Sequence, residues 1–553
     1  MSDLVQRLRA IPGLERYARY WGLGLAALLA LLFAAGWWRG AWSGWWAAAA
    51  AALMLLGLRD LAQARHSVLR NYPVIGHLRF FLELIRPEIR QYFVESDTES
   101  VPFSRQQRAL VYQRAKQELD NRPFGTQLDI YGSGFEWINH SLAPVHIGSY
   151  DFRCEIGAVP QQAAQAVSCT QPYSASVFNI SAMSFGALSA QAILALNRGA
   201  KLGGFAHDTG EGSISAHHRV HGGDLIWEIG SGYFGCRDEQ GYFSEERFVA
   251  NALDAQVRMV EIKLSQGAKP GHGGVLPGAK VSQEIAQARG VPVGVDCISP
   301  ARHSAFDTPI GLLEFVDRLR RLSGGKPVGF KLAIGHPWEW FAIAKAMLAT
   351  GITPDFIVVD GKEGGTGAAP AEFVDRMGAP MQEGLLLVHN TLVGLNLRQR
   401  VRLGAAGKIV SAFDIARTMA LGADWCNSAR GFMFALGCIQ AQNCHTGRCP
   451  TGVATQDPLR QRALVVPDKA ERVSSFHRNT LHALAEIVGA AGLSHPSQLK
   501  PHHIVRRVSG IEVRQLSSLF PMLEPGELLD GHAEPNVYKM FWPRARPDRF
   551  EPA

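Results

Sequence analysis

The stretch FNISAMSFGALSAQAILALNRGAKL, from Phe178 to Leu202, decides the fold. It opens on an apolar run, Phe178–Met183, of strand length. It breaks at Ser184, Phe185 and Gly186, then continues as a helical stretch, Leu188–Leu202. A strand that runs through a short loop into a helix calls for a parallel neighbour, because the helix carries the chain back over the sheet. Further strands are expected at Gly204–His207, Met259–Lys263, Val293–Cys297, Val328–Ala333, Phe356–Asp360, Lys408–Ser411 and Trp425–Ser428. Helical patterns follow most of them, at Ala279–Arg289, Ile310–Leu322, Trp338–Leu348, Leu385–Leu403, Ala412–Leu421 and Phe432–Leu436. Eight such units predict an α/β fold, a closed (β/α)8 barrel of the TIM type. The stretch Gly210–Gly241, rich in glycine and aromatics, reads as an insertion after the second strand.

The loops that follow these strands carry the unusual residues. They hold Met183, Ser184, Phe185 and Gly186; then Asp208-Thr209-Gly210-Glu211-Gly212; then Lys269-Pro270-Gly271-His272-Gly273-Gly274. Ser299-Pro300 with His303 come next, then His336, then Lys362 and Glu363 ahead of Gly364, Gly365, Thr366 and Gly367. All lie at the C-terminal ends of their strands, where a barrel builds its active site. Glycine is frequent throughout, at 57 of 553 residues, about one in ten. Here it lets backbone amides approach a ligand without a Cβ in the way. Ser411 and the run Ser428-Ala429-Arg430-Gly431 follow the last two strands, the usual phosphate position in barrels. Lys331 is expected to point inward from its strand, where it either stabilises negative charge on a reduced flavin or forms a salt bridge inside the barrel.

Outward from the barrel, residues 60–145 are polar and mixed, with helical stretches at Leu78–Glu95 and Gln106–Asn121. Ahead of them lie two uncharged segments of nineteen residues, Tyr20–Trp38 and Gly40–Leu58. Each would make a helix of about 28 Å, enough for a hydrocarbon core of about 30 Å. Trp21, Trp37, Trp38, Trp42, Trp45 and Trp46 gather toward their ends, where indoles favour the interface. The net charge of +7 is uneven, because residues 1–70 hold eight Arg against three acids. Seven of those arginines flank the pair of segments and only Arg39 lies between them, so the positive-inside rule places both termini in the cytoplasm. The expected arrangement is a transmembrane hairpin in the cytoplasmic (inner) membrane, in contact with lipid, with the catalytic body facing the cytoplasm. Its segments are residues 1–60, a helical connector at 61–150, the barrel at 151–490 and an extension at 491–553. Charge gathered beside apolar segments is no nucleic-acid footprint. A hydrophobic content of 47% excludes a mainly disordered chain. A mean hydropathy of −0.02 excludes a polytopic membrane protein.

Of eight cysteines, five are scattered and three form Cys438-x5-Cys444-x4-Cys449-Pro450, just after the eighth strand. Close-set thiolates in a reducing compartment bind metal more often than they form disulfides. Zinc takes four ligands, and His445 could supply the fourth. Three thiolates also suit an iron–sulfur cluster that lacks one iron corner.

The residues from about 176 to 460 resemble the synthase domain of glutamate synthases. The matching stretches are Met183 to Ser189, Thr209 to Gly212, Ala268 to Gly271, Gly364 to Ala368 and His389 to Leu392. To these are added Gly437-Cys438 through Cys449-Pro450, and Gly452 to Gln456. The closer likeness is to stand-alone, membrane-anchored bacterial members. The resemblance implies FMN at the barrel mouth, a [3Fe–4S] cluster on Cys438, Cys444 and Cys449, and electrons from a ferredoxin-like protein donor. It implies reduction of a 2-oxo or 2-imino acid, as in forming glutamate from 2-oxoglutarate and ammonia. Lys269 would hold carboxylate, Glu211 would move a proton, and Lys331 would attend the flavin. Two departures bear on the substrate. No cysteine precedes Cys154, so ammonia from glutamine would need a separate amidotransferase subunit. The family's Lys-Pro-Gly-Glu-Gly-Gly-Gln loop has His272 in place of the acid and Val275 in place of the amide. Alternative expectations are a subunit of a glutamate N-methyltransferase-like complex and an electron-relay flavoprotein.

Overall fold

The structure, a computed structural model, describes residues 19–63, 66–98, 101–367, 369–531, 533 and 536–553. The N-terminal arginines up to Arg16, together with Arg65 and Ala368, lie outside the described residues, as does the expected cytoplasmic N-terminus. The chain forms two compact units, divided between Ser100 and Val101.

In the first unit, α1 (Trp21–Trp38) and α2 (Gly44–Ala62) pack as a helical hairpin. Ser43 caps α2 by accepting the Trp45 amide at 3.4 Å. Both helices are long and apolar enough to cross a membrane. They present Leu28, Leu31, Leu55 and most of their tryptophans outward. A third helix, α3 (Gly76–Ile89), runs on into a wider turn at Arg90–Val94.

The second unit is built on a closed eight-stranded barrel. Its strands are β1 (Phe178–Ile180), β2 (His207–Asp208), β3 (Leu225–Ile229), β4 (Val257–Lys263), β5 (Val328–Leu332), β6 (Phe356–Asp360), β7 (Arg402–Ala406) and β8 (Trp425–Ser428). Every neighbouring pair is parallel, and β8 closes on β1. Helices return the chain between most strands. They include α4 (Ala190–Gly203), capped by the Ser189 hydroxyl on the Ala192 amide at 3.2 Å, and α5 (Gln283–Arg289), capped in the same way by Ser282. Pro309 and Pro337 stand in the first turns of Pro309–Leu322 and Pro337–Thr350, where a missing N–H costs nothing.

The expected barrel is present, with eight strands reached by two compensating errors. Leu225–Ile229, placed inside an insertion, is β3. Its Glu228 interrupts an apolar run but points into the barrel, so the strand reads as polar loop from sequence alone. Val293–Cys297 contributes no barrel strand: Cys297–Ile298 pairs antiparallel with Val275–Leu276 in a separate ribbon. The strand expected at Lys408–Ser411 lies at Arg402–Ala406, and the helix expected to reach Leu403 ends at Gly394. The sequence Leu403-Gly404-Ala405-Ala406 has little strand character of its own. It is small because Trp425 of β8 lies across it: a Cβ on Gly404 would come within 2.5 Å of that indole.

Alternation along the strands builds the barrel interior in layers. The floor is apolar, formed by Ile226, Met259, Phe356, Val358 and Trp425. It is plugged by the hairpin Arg153–Ile156/Tyr173–Ser176. Two residues further along the same strands stand Glu228, Glu261 and Asp360. Outside the barrel, α6 (Val466–Ala490) packs on α4 and on the helix Arg105–Lys116. The extension is tied in as well. Ile504–Arg507 pairs with both Glu136–Ile138 and Val513–Gln515. Glu136 accepts from Arg506 at 2.7 Å and also pairs with Arg417.

Candidate active site at the barrel mouth

Two charged layers are stacked along the barrel axis. The lower one is sealed. Asp208, Glu228 and Glu261 bring carboxylate oxygens within 4.8 Å of one another, and all are buried. Lys331 reaches into them from β5, paired with Glu228 and 3.5 Å from Glu261. Asp360 adds a fourth acid, accepting the Gly267 amide at 2.8 Å. Burial, then the neighbouring Glu228 charge, push Asp208 up to about 7. Burial, then Asp208, hold Glu261 well above the carboxylate range. Protons shared among these acids offset what one ammonium cannot neutralise. Burial opposes the charge on Lys331, but Glu228, Glu261 and Asp208 outweigh it and raise its affinity for a proton. The salt bridge, one of the two roles expected for Lys331, is present.

The upper layer is at the rim. One alternation beyond Glu261, Lys263 ends β4 and meets Glu211 at 3.1 Å. Burial works against the Glu211 carboxylate, but Lys263 and Lys269 draw its pKa down to about 2. It is therefore ionised at any ordinary pH and accepts hydrogen bonds. The expectation that Glu211 moves a proton thus meets a carboxylate that its neighbouring cations hold in the ionised form. Lys269, buried on the next loop, points its Nζ to the Gly273 carbonyl at 3.1 Å. Burial lowers its pKa, and Glu211 opposes the shift. Arg289, at the end of α5, completes the group: its guanidinium donates to the Phe185 carbonyl at 3.1 Å and adds a positive field on Glu211. Three cations thus surround one carboxylate. Lys263 and Arg289 were not singled out from sequence. The signal for Lys263 was a lone cation at the C-terminal end of an apolar strand; Arg289 sits on a helix end and gave none. Behind them His303 donates from Nε2 to the Lys263 carbonyl at 2.9 Å and shares a hydrogen bond of 3.0 Å between Nδ1 and the Tyr233 hydroxyl. His272 bonds the Gly273 carbonyl, and Val275 lies in the antiparallel ribbon opposite Ile298.

The glycine loops close around this rim. Gly210 holds a positive φ of 64°, and a Cβ there would lie 2.7 Å from the Ser184 amide. The loop from Met183 to Gly186 and the loop carrying Glu211 therefore touch backbone to backbone, and Ser184 accepts the Gly212 amide at 3.2 Å. Met183 and Phe185 are buried beside them. Across the mouth, Gly364, Gly365, Thr366 and Gly367 follow β6. A methyl on Gly365 would stand 3.5 Å from Arg430, whose only polar partner among the described residues is the Met433 thioether at 3.3 Å. Gly431 is packed so tightly that a Cβ would meet the Ser428 hydroxyl at 2.5 Å. Ser411 is less available than its position suggested. Its hydroxyl caps the Asp414 amide at 3.1 Å, and Asp414 accepts the Ser411 amide at 2.8 Å. In the helix Ala412–Ala420 that leaves the first-turn amides of Ala412 and Phe413, which no intrahelical bond can satisfy.

The three clustered cysteines line one pocket with Ile439, Gln442, Asn443 and Thr451. Among the described residues, the three-ligand groups closing to within 4.8 Å comprise the acid trio alone, not the thiols. The Cys449 thiolate is opposed by burial but favoured by the Thr451 hydroxyl and the amides of Ala454, Thr451 and Val453, and its pKa falls. Burial pushes Cys438 up to about 11. The loop is held independently of its thiols. Tyr112 donates to the Cys438 carbonyl at 2.6 Å, and Gln440 exchanges two bonds with the backbone of Phe103. Gln456 donates to the Gly186 and Leu188 carbonyls, both at 3.0 Å. The Gly364–Gly367 loop abuts the pocket, since a Cβ on Gly367 would lie 3.4 Å from the Cys444 carbonyl carbon.

Comparison with known proteins agrees with this arrangement. Residues 152–494 match the family described as the conserved region in glutamate synthase. The chain is 38% identical to the glutamate synthase large subunit-like protein YerD of Bacillus subtilis, over 81% of this chain and 91% of that protein. It is 35% identical to the archaeal-type glutamate synthase (NADPH) of Thermotoga neapolitana, over 61% of this chain. It is also 35% identical to the archaeal glutamate synthase (NADPH) of Methanocaldococcus jannaschii, over 62%. In each of these two cases it spans 64% of the relative's length.

Proposed function

The chain belongs to the glutamate synthase family, and from that membership we propose a membrane-anchored FMN and iron–sulfur oxidoreductase that reduces a 2-oxo or 2-imino dicarboxylic acid. The observation that carries the reading is the rim: Lys263, Lys269 and Arg289 around the single carboxylate of Glu211, at the C-terminal ends of the strands. An anionic substrate with two carboxylates would offset that excess of positive charge.

The residues present fit a flavin phosphate and ring. Among the described residues Arg430 has no carboxylate partner, the first-turn amides of Ala412 and Phe413 have no intrahelical acceptor, and Gly364, Gly365 and Gly367 leave backbone without a Cβ beside them. The loop from Met183 to Gly186, with Thr366 and Gly431, would complete the cradle, and Lys331 would lend positive charge from below. FMN bound there supplies hydride to the carbon being reduced. Lys269 and Arg289 hold the substrate carboxylates. Glu211, fixed as a carboxylate by Lys263 and Lys269, accepts the N–H of an imine and orients it. The sealed acids beneath exclude water from that side. Cys438, Cys444 and Cys449 fit a [3Fe–4S] cluster, whose charge the amides around Cys449 would stabilise. The run Gly230-Ser231-Gly232-Tyr233-Phe234-Gly235 follows β3 but leads into turns rather than opening a helix, as a dinucleotide site would need, which favours a ferredoxin-like protein donor over a nicotinamide. Ammonia would come from solution or from a separate amidotransferase subunit. The apolar pair α1–α2 would hold the enzyme in the cytoplasmic membrane with its body in the cytoplasm.

The test is anaerobic purification of the full chain, assay of iron, acid-labile sulfide and flavin, and a screen of 2-oxo acids with ammonia against the reduced-flavin absorbance. Iron with sulfide, bound FMN and oxidation by a dicarboxylic 2-oxo acid are expected. Zinc without iron, or a preference for monocarboxylic acids, would overturn the cluster and the substrate reading respectively.

A further inference from the structure

The helix that follows the apolar hairpin has a face that nothing among the described residues of its own unit covers. From Gly76 to Val94 the helical turns are continuous, about 28 Å long. Leu78, Phe81, Leu82, Ile89, Tyr92 and Phe93 recur at the spacing of one helical stripe, and all are exposed, Phe93 by 85%. Arg79, Arg86 and Arg90 form another stripe, and Arg79 pairs with Glu83 at 3.0 Å. An exposed apolar stripe of this length needs a cover.

The start of the helix is fixed to the hairpin. Asp60, buried at the end of α2, accepts the Val74 amide at 3.0 Å and pairs with His77 at 2.9 Å. Val74 and Ile75 fill the space above two glycines: a Cβ on Gly57 would lie 2.8 Å from Val74, and one on Gly22 would lie 2.6 Å from Ile75. Gly22 opens α1 and Gly57 lies near the close of α2, so α3 begins at the end of the hairpin that holds both. If α1 and α2 span a bilayer, that end is at its surface.

We propose that the helix Gly76–Val94 lies in the headgroup plane of an anionic bilayer, its apolar stripe among the upper acyl chains and its arginines on lipid phosphates. This rests on the reading of α1–α2 as membrane-spanning. Two arguments select lipid as the occupant: the stripe is continuous with the apolar hairpin, and Arg70, Arg79, Arg86 and Arg90 outnumber Glu83 and Glu88 over the segment 70–94. Arginines flanking a stripe of Phe and Leu can reach lipid phosphates while the stripe enters the acyl region, as in interfacial helices.

The experiment is photo-crosslinking of the full chain, reconstituted in vesicles of phosphatidylcholine with phosphatidylglycerol and a diazirine-tagged lipid, with the adducts mapped by mass spectrometry. Adducts are expected on residues 21–62 and on the stripe, but not on Glu83 or Glu88. The triple variant R79E/R86E/R90E should lose the stripe adducts several-fold and keep those on 21–62. Adducts on 21–62 with none on the stripe would overturn this proposal alone. Absence of both would overturn the membrane reading beneath it. A dimer whose protein–protein cross-links run through Phe81 and Phe93 would assign the face to a second copy and overturn the lipid assignment.

Discussion

The two charged layers of the barrel are a few ångströms of strand apart and opposite in sign. Below, four acids, three of them fully buried, face one buried lysine, and burial raises Asp208, Glu261 and Asp360 so that protons are retained there. At the rim, three cations face one acid, and the imbalance is open to whatever enters from the mouth. The lower layer is complete in itself and the upper one is not. A buried excess that protons can neutralise reads as architecture; an excess of ammonium and guanidinium at the C-terminal ends of barrel strands reads as a ligand's place.

The largest expected effect tests the claim that the lower layer is self-contained. Lys331→Met removes its only cation, and breaking a buried pair in this way costs about 3–5 kcal/mol. A clear fall in melting temperature should follow, partly restored by the added change Glu228→Gln; no restoration would mean that the acids are not the cause. At the rim, Arg289→Ala should cost about 2 kcal/mol of substrate interaction, roughly thirtyfold in kcat/KM. The loss should be greater for dicarboxylic than for monocarboxylic substrates, and equal losses would make Arg289 a scaffold residue.

The third prediction uses pH. Asp208 is raised from 3.8 to about 7, so the folded state binds more protons than the unfolded chain between those values. Its stabilising contribution is full below pH 3.8 and is lost as pH rises toward 7. Melting temperature across pH 5–7 should therefore carry a downward component that Asp208→Asn removes. Glu211 has the opposite sign. Drawn down to about 2, it contributes stability that is full above about 4.5 and lost only in strong acid, so Glu211→Gln should not change the slope between pH 5 and 7. The smallest effect is Val275→Gln. A side-chain amide beside Gly274 should improve binding of 2-oxoglutarate by about 1 kcal/mol, read as a lower KM.

How much of this was legible in sequence depended on where each residue's partner lies. The strand–loop–helix repeat and the glycine loops are local, so the barrel and the mouth were readable. The strand Leu225–Ile229 was not, because Glu228 makes sense only beside Lys331, about a hundred residues later. Arg402–Ala406 was not, because its small residues answer to Trp425. Glu211 and Lys269 were found by their loops, but the state of Glu211 depends on Lys263 and Arg289, which converge on it only in the folded barrel. Ser411 was placed correctly on the chain, yet its capping bonds with Asp414 reduce what it can offer a phosphate.

The fastening of the cysteine loop bears on how such a centre is made and mended. Tyr112, the Gln440–Phe103 exchange and the two bonds from Gln456 hold the segment at both ends with no thiol taking part. A cradle secured in this way can fold empty. If the proposed iron–sulfur cluster forms there, iron and sulfide could be delivered after synthesis and a lost cluster replaced in the standing protein, without the chain being unfolded or discarded.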